Sequence, residues 1–239
     1  MIQVSNKRGF TIVELMLSMT FIAFLLVAIA MLTIQMSNIY TKGTTLRQVN
    51  QSGLAVSEEL QRSIATTVPF ETKEIAGISQ KYIARDNGGR LCVGQYSYAW
   101  NYGEAIKTNP TGLLSRYSDH SNEIIRFVKV VDPGGDICAD PISQDAIDRS
   151  KATEMLASGD RDLAVYSFNI VQTAKSGVTG QAIYSINFLL GTNTTAQINV
   201  AEDGYAGCKP PSGADGNENF CAINQFSIRA RAGNQQGGQ

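Results

Sequence analysis

From Leu15 to Ile34 the chain carries no charged residue, no proline and no glycine, and only the hydroxyls of Ser18, Thr20 and Thr33 interrupt its apolar side chains. These twenty residues constrain the fold more than any other stretch. Wound as an α-helix they rise about 30 Å, the thickness of a bilayer's hydrocarbon core. Lys7 and Arg8 lie just ahead of the run and hold its start on the cytoplasmic side. The residues that follow, Gln35 to Tyr40, offer no small-residue cleavage site, so the run reads as a retained anchor rather than a removed secretory signal. Glu14 is the unexpected residue. A carboxylate at the edge of an apolar helix is costly unless it is paired or reaches the headgroups, and by default it marks a functional position.

The segment Arg8-Gly9-Phe10-Thr11-Ile12-Val13-Glu14, joined directly to the membrane run, resembles the N-terminus of type IV prepilins and type II secretion pseudopilins. The resemblance implies that a prepilin peptidase cuts between Gly9 and Phe10, that Phe10 becomes the methylated terminus, and that Glu14 guides assembly. It also implies a single-pass inner-membrane protein with its head outside the cytoplasm. Its partners would be other pilin or pseudopilin subunits and the inner-membrane assembly platform. In a bundle of such helices the Glu14 charge needs a cation, and the new amine at Phe10 of a neighbouring subunit supplies one. Many major pilins kink at a proline well inside this helix, whereas the region around Met31 has none. That difference and the large head lean towards a PilW-like minor pilin acting in initiation or tip assembly. The alternatives are a pseudopilin of a type II secretion system and a pilus-associated adhesin or DNA-uptake module.

No proline interrupts the chain from Gln35 to Thr67, and Leu46, Val49, Gly53, Val56, Leu60 and Ile64 recur at threes and fours. That spacing predicts a continued helix with one apolar face, ended by Pro69. A coiled-coil seam would give the same stripe, but strand-like segments that need a cover follow it. They run from Ile124 to Val131, Leu163 to Thr173, Ala182 to Gly191, Ala196 to Val200 and Ala222 to Arg231, with a hairpin expected over Lys175 to Gly180. The expected fold is α+β and pilin-like: a long N-terminal helix, membrane-spanning in its first half, packed on an antiparallel sheet. The segments are a leader (1–9), a transmembrane and assembly helix (10–34), its amphipathic continuation (35–67), a globular head (68–232) and a frayed tail (233–239). Within the head, Phe70 to Ser121 is the variable region by analogy, with turns at Asn87-Gly88-Gly89 and Asn109-Pro110-Thr111-Gly112. Asp132 to Asp136 is another turn. Ser143 to Leu156 is expected as a short amphipathic helix contacting through Ala146, Ile147 and Met155, and Gly204 to Phe220 as a loop.

Cys92, Cys138, Cys208 and Cys221 all follow the membrane run, on the exported and oxidising side, where an even number of cysteines reads as disulfides. The separation of Cys208 from Cys221 suits a local bridge and resembles the C-terminal disulfide loop of many pilins; Cys92 with Cys138 would then be the second. Four cysteines allow three connectivities. Tyr96, Tyr98, Trp100 and Tyr102 alternate, so on a strand they share one face. An exposed row would be an adhesive or nucleic-acid stacking surface. The favoured reading is a strand packing aromatics onto the core, with the residues between them facing water. Asp132 with Asp136, and Asp215 to Glu218, hint at calcium, but neither has the EF-hand spacing and both suit tight turns. No CxxC pair exists and the only histidine is His120, so no zinc site, cofactor or catalytic constellation is expected. With 20 basic and 21 acidic side chains, overall charge gives no argument for nucleic-acid binding.

Overall fold

A computed structural model describes residues 10–73, 80–119, 122–139, 147–156, 162–178, 180–193, 198–200, 206–208 and 221–233. Gly9, His120, Ala146, the acidic run Asp215 to Glu218 and the tail from Asn234 lie outside them. The first element is one helix, α1 (Ile12–Ala65). It runs through two compact units, the first ending at Thr41 and the second beginning at Lys42.

In the first unit the large apolar side chains from Phe10 to Tyr40 are exposed all round, and the helix is long and apolar enough to cross a membrane. From Lys42 onward burial becomes one-sided. Thr45, Val49, Ser52, Gly53, Val56, Ser57, Leu60, Ser63 and Ile64 are buried, at the threes and fours that put one stripe on a neighbour. Leu46, expected in that stripe, stays largely exposed, because Thr45 takes the inward position at that turn.

The stripe packs on antiparallel sheets, and among the described residues there are two large ones where one was expected. The first is a five-stranded meander of β1 (Tyr82–Arg85), β2 (Gly88–Val93), β3 (Tyr96–Asn101), β4 (Phe127–Val131) and β5 (Ala152–Glu154), ordered as in sequence. A short helix, α2 (Gly103–Thr108), follows β3. The second sheet holds β6 (Leu163–Lys175), β7 (Ala182–Thr192) and β10 (Ile223–Ala232), in the order β10-β7-β6. A two-stranded ribbon pairs β8 (Ile198–Val200) with β9 (Ala206–Cys208), so the expected loop from Gly204 contains a strand.

The main core lies between the sheets and under the helix. Trp100 and Phe127 from the first sheet meet Phe168 and Phe188 from the second, with ring centroids 4.2 Å apart for Trp100–Phe168 and 5.7 Å for Phe168–Phe188. Val49, Val56, Leu60 and Ile64 close the same cluster from the helix. A second cluster of Ile83, Cys92, Ala99, Tyr117, Ile125, Val128 and Ile147 covers the opposite face of the first sheet.

Three expectations are corrected. The region from Phe70, expected as the variable region, supplies three strands of the first sheet, with the turn at Asn87 and a 3-10 turn at Pro110–Gly112 where turns were expected. The helix expected from Ser143 is, in its described part, a 3-10 turn (Arg149–Lys151) followed by β5. Pairing with β4 wins there because the Glu154 carboxylate accepts the free amides of Arg126 and Phe127 at 3.0 and 2.8 Å. Ile147 is nevertheless buried and Met155 packs on the main core. The residues between the β3 aromatics do not face water either: Ser97, Ala99 and Asn101 are buried against the second cluster.

Candidate functional site

The start of α1 is built by local hydrogen bonding. Thr11 precedes the first helical residue and Glu14 sits three positions later, which is the spacing of a capping box. The Thr11 amide and hydroxyl donate to Glu14 Oε2 at 3.0 and 2.8 Å, and the Glu14 amide donates back to Thr11 Oγ1 at 3.3 Å. Orphan amides of the first turn are thereby satisfied. The carboxylate is exposed on an apolar helix, and Oε1 has no partner among the described residues. One carboxylate oxygen is held by its own chain, and the other is free to accept a cation. Thr11 is the residue that sequence reasoning overlooked, although the Thr-x-x-Glu pattern was there to be read.

The head carries two disulfides, Cys92–Cys138 and Cys208–Cys221, with sequence separations of 46 and 13. The first ties β2 to a 3-10 turn (Asp136–Cys138). That turn is fixed a second time by Asp132, whose carboxylate accepts from the Asp136 amide at 3.0 Å, the Ile137 amide at 3.1 Å and the Ser97 hydroxyl at 2.7 Å. Its oxygens are occupied by the turn itself, so the turn reading of Asp132 and Asp136 accounts for the geometry. No cluster of metal-ligating side chains occurs among the described residues.

The aromatic row is core. Tyr98 and Trp100 are fully buried and Tyr96 and Tyr102 half-buried, so the four do not form an exposed stacking surface. The reason is tertiary: the second sheet lies on their face. Tyr98 reaches the helix, with its hydroxyl 2.5 Å from Ser63 Oγ and donating to Glu59 Oε1 at 3.0 Å. Lys129 Nζ closes the group, 2.6 Å from Glu59 and 3.7 Å above the Tyr96 ring. Burial alone would raise the Glu59 carboxyl. Hydrogen bonds from Lys129 and Tyr98 outweigh it and hold the group below its ordinary value. Burial pushes the Tyr98 phenol well above its usual range.

Arg90 is buried behind β2, donating to the Ile137 carbonyl at 2.8 Å and the Leu114 carbonyl at 2.9 Å. Burial lowers its pKa to about 10. Asn101 does similar work on β3, donating to the carbonyls of Ser115 and Ile125 at 2.9 Å each. These polar side chains hold the covering layer on the first sheet. Nothing local in the sequence separates them from exposed residues.

A long N-terminal helix, apolar all round and then one-sided, carrying an antiparallel β head, is a pilin-like fold. Compared with family models, with curated proteins and with solved structures, the chain matches none.

Proposed function

We propose that the protein is a low-copy pilin subunit that takes part in initiation or tip assembly of a type IV pilus, as a structural component and not a catalyst. One observation carries the reading: the exposed apolar part of α1, up to Thr41, bears a single carboxylate, Glu14, with one oxygen capped by Thr11 and the other without a partner among the described residues. An anchor that only sits in lipid gains nothing from that charge. A helix that must leave lipid for a bundle of like helices gains a partner, the amine that cleavage between Gly9 and Phe10 creates on a neighbouring subunit.

On this reading the partners are other pilin subunits, the prepilin peptidase and the inner-membrane assembly platform. The protein resides in the inner membrane, with its head in the oxidising compartment that its two disulfides suit. A type II secretion pseudopilus would use the same helix in the same way. The adhesin or DNA-uptake alternative loses its main support, because Tyr98 and Trp100 are buried.

The test is substitution of Glu14. Glu14→Gln and Glu14→Leu are both expected to leave insertion and the head fold intact and to abolish crosslinking to partner subunits. Filament number or secretion output should fall with it. Glu14→Leu makes the helix more apolar, so an anchor-only model expects it to be neutral. Wild-type crosslinking from both variants would refute the proposal.

A further inference from the structure

Among the described residues, five of the six edge strands of the two large sheets and the ribbon are short or partly covered. β1 and β5 are only four and three residues long. The edge of β6 is occupied at Val165 by a bridge to Tyr102, and its Phe168 carbonyl accepts from Tyr82 at 3.0 Å. The ribbon strands β8 and β9 have three residues each. β10 differs: ten residues long, it lies at the edge of its sheet.

Parity fixes which of its groups face outward. Thr192 donates to the Ala222 carbonyl at 2.9 Å, so the even-numbered residues of β10 bond to β7 and the odd-numbered ones turn N–H and C=O to the free edge. Three outward groups are partnered. The Gln225 amide donates to Asn224 Oδ1 at 2.9 Å, the Arg229 carbonyl accepts from Gln61 Nε2 at 3.1 Å, and the Gly233 amide donates to the Thr67 carbonyl at 2.9 Å. Between them, the amide and carbonyl of Ser227 and the amides of Arg229 and Arg231 have no partner among the described residues. Gln225, Ser227, Arg229 and Arg231 are all exposed.

Two further features flank this open stretch. On the inner side, Asn50 and Gln61 both reach β10, bonding to Asn224 and Arg229. Leu54 lies on the same helical stripe between them and is 57% exposed. On the solvent side, Arg229 and Arg231 face Ser185 and Ile183 of β7, with no carboxylate in either cross-strand row. The Arg231 guanidinium meets only the neutral amide of Gln181, and Arg229 has no side-chain partner among the described residues.

The geometry points to β10 as a docking edge for an extended acidic segment of another chain, which adds to the sheet as a fourth strand. Main-chain bonds to Ser227, Arg229 and Arg231 supply the affinity. Alternate side chains supply the selectivity, apolar ones over Leu54 and acidic ones beside Arg229 and Arg231. Among the described residues, Gln61 and Thr67 cover only the Arg229 carbonyl and the Gly233 amide, and the stretch between Gln225 and Arg231, with open main-chain groups and no proline or inward charge, is a pairing template. The arginines choose the sign of what pairs. This inference is independent of the filament reading, so the Glu14 variants do not bear on it.

The full chain in detergent micelles is titrated with a short labelled peptide of alternating valine and glutamate, and with its valine–lysine counterpart. Binding of the acidic peptide about tenfold tighter than the basic one is expected, with slowed amide exchange across Gln225 to Arg231. Ser227→Pro removes an outward donor without touching the ladder to β7, and should weaken binding about tenfold at unchanged melting temperature. The double variant Arg229→Glu/Arg231→Glu should prefer the basic peptide, and it keeps the test decisive if Ser227→Pro does not fold. Four results would each overturn the proposal. They are no binding of the acidic peptide at millimolar concentration, equal binding of both peptides, binding without protection of the β10 amides, and wild-type affinity in a folded Ser227→Pro protein.

Discussion

Phe168→Ala is the sharpest probe of the head, because Phe168 stands where the two sheets meet. Its ring lies 4.2 Å from that of Trp100, 5.7 Å from Phe188 and 5.8 Å from Phe127, and only 4% of the residue is exposed. Truncation removes the buried ring and leaves a cavity walled by three other aromatics, which do not collapse without leaving their own rotamers. A loss of about 3–5 kcal/mol is expected. For a unit of this size that lowers the melting temperature by roughly 6–20 °C, and it consumes a large part of a typical domain's stability. Trp100 is the only tryptophan in the chain, so its emission reports directly on the damaged site. In the wild type Trp100 should resist iodide quenching and become accessible only as the head unfolds; in the variant the same change should come at a lower denaturant concentration. Free quenching of Trp100 in the native wild type, or a loss below about 1 kcal/mol in the variant, would refute the packing and restore the aromatic row as a candidate surface.

The other expectations test single links. Thr11→Val should speed amide exchange several-fold over the first turn of α1 while Thr11→Ser does not, since only the hydroxyl and its capping role are removed; equal exchange would show that Glu14 is not held by Thr11. The Glu59 carboxyl is held below its ordinary value of 4.5, so its contribution is complete above that value and is lost as pH falls through the lowered folded pKa. Acid unfolding should accordingly be shallower for Lys129→Met than for wild type, and identical acid limbs would contradict the pairing. In the chain-entropy account the longer Cys92–Cys138 loop stabilises by about 4 kcal/mol and Cys208–Cys221 by about 3 kcal/mol. Paired serine substitutions, compared by denaturant unfolding, should therefore rank in that order.

What was legible in the sequence is what local periodicity encodes. The span from Leu15, the stripe from Val49 to Ile64, and the strands from Leu163 and Ala182 each depend on neighbours within a few turns or residues, and each has its expected type. The Thr11–Glu14 box is equally local, although its partner role emerges only once the helix start is placed. What only the tertiary structure decided is non-local. Whether Tyr98 and Trp100 face water or a core depends on the second sheet, whose Phe168 lies far along the chain and bears no mark of its partner. Ser97, Arg90 and Asn101 are buried because the Asp132 carboxylate and the carbonyls of Leu114, Ser115, Ile125 and Ile137 come to meet them across long loops. A polar side chain is tolerated inside only where such groups converge. The division of the strands into two sheets follows the same logic, since hydrogen bonding pairs whichever edges the packing of Trp100, Phe127, Phe168 and Phe188 brings together.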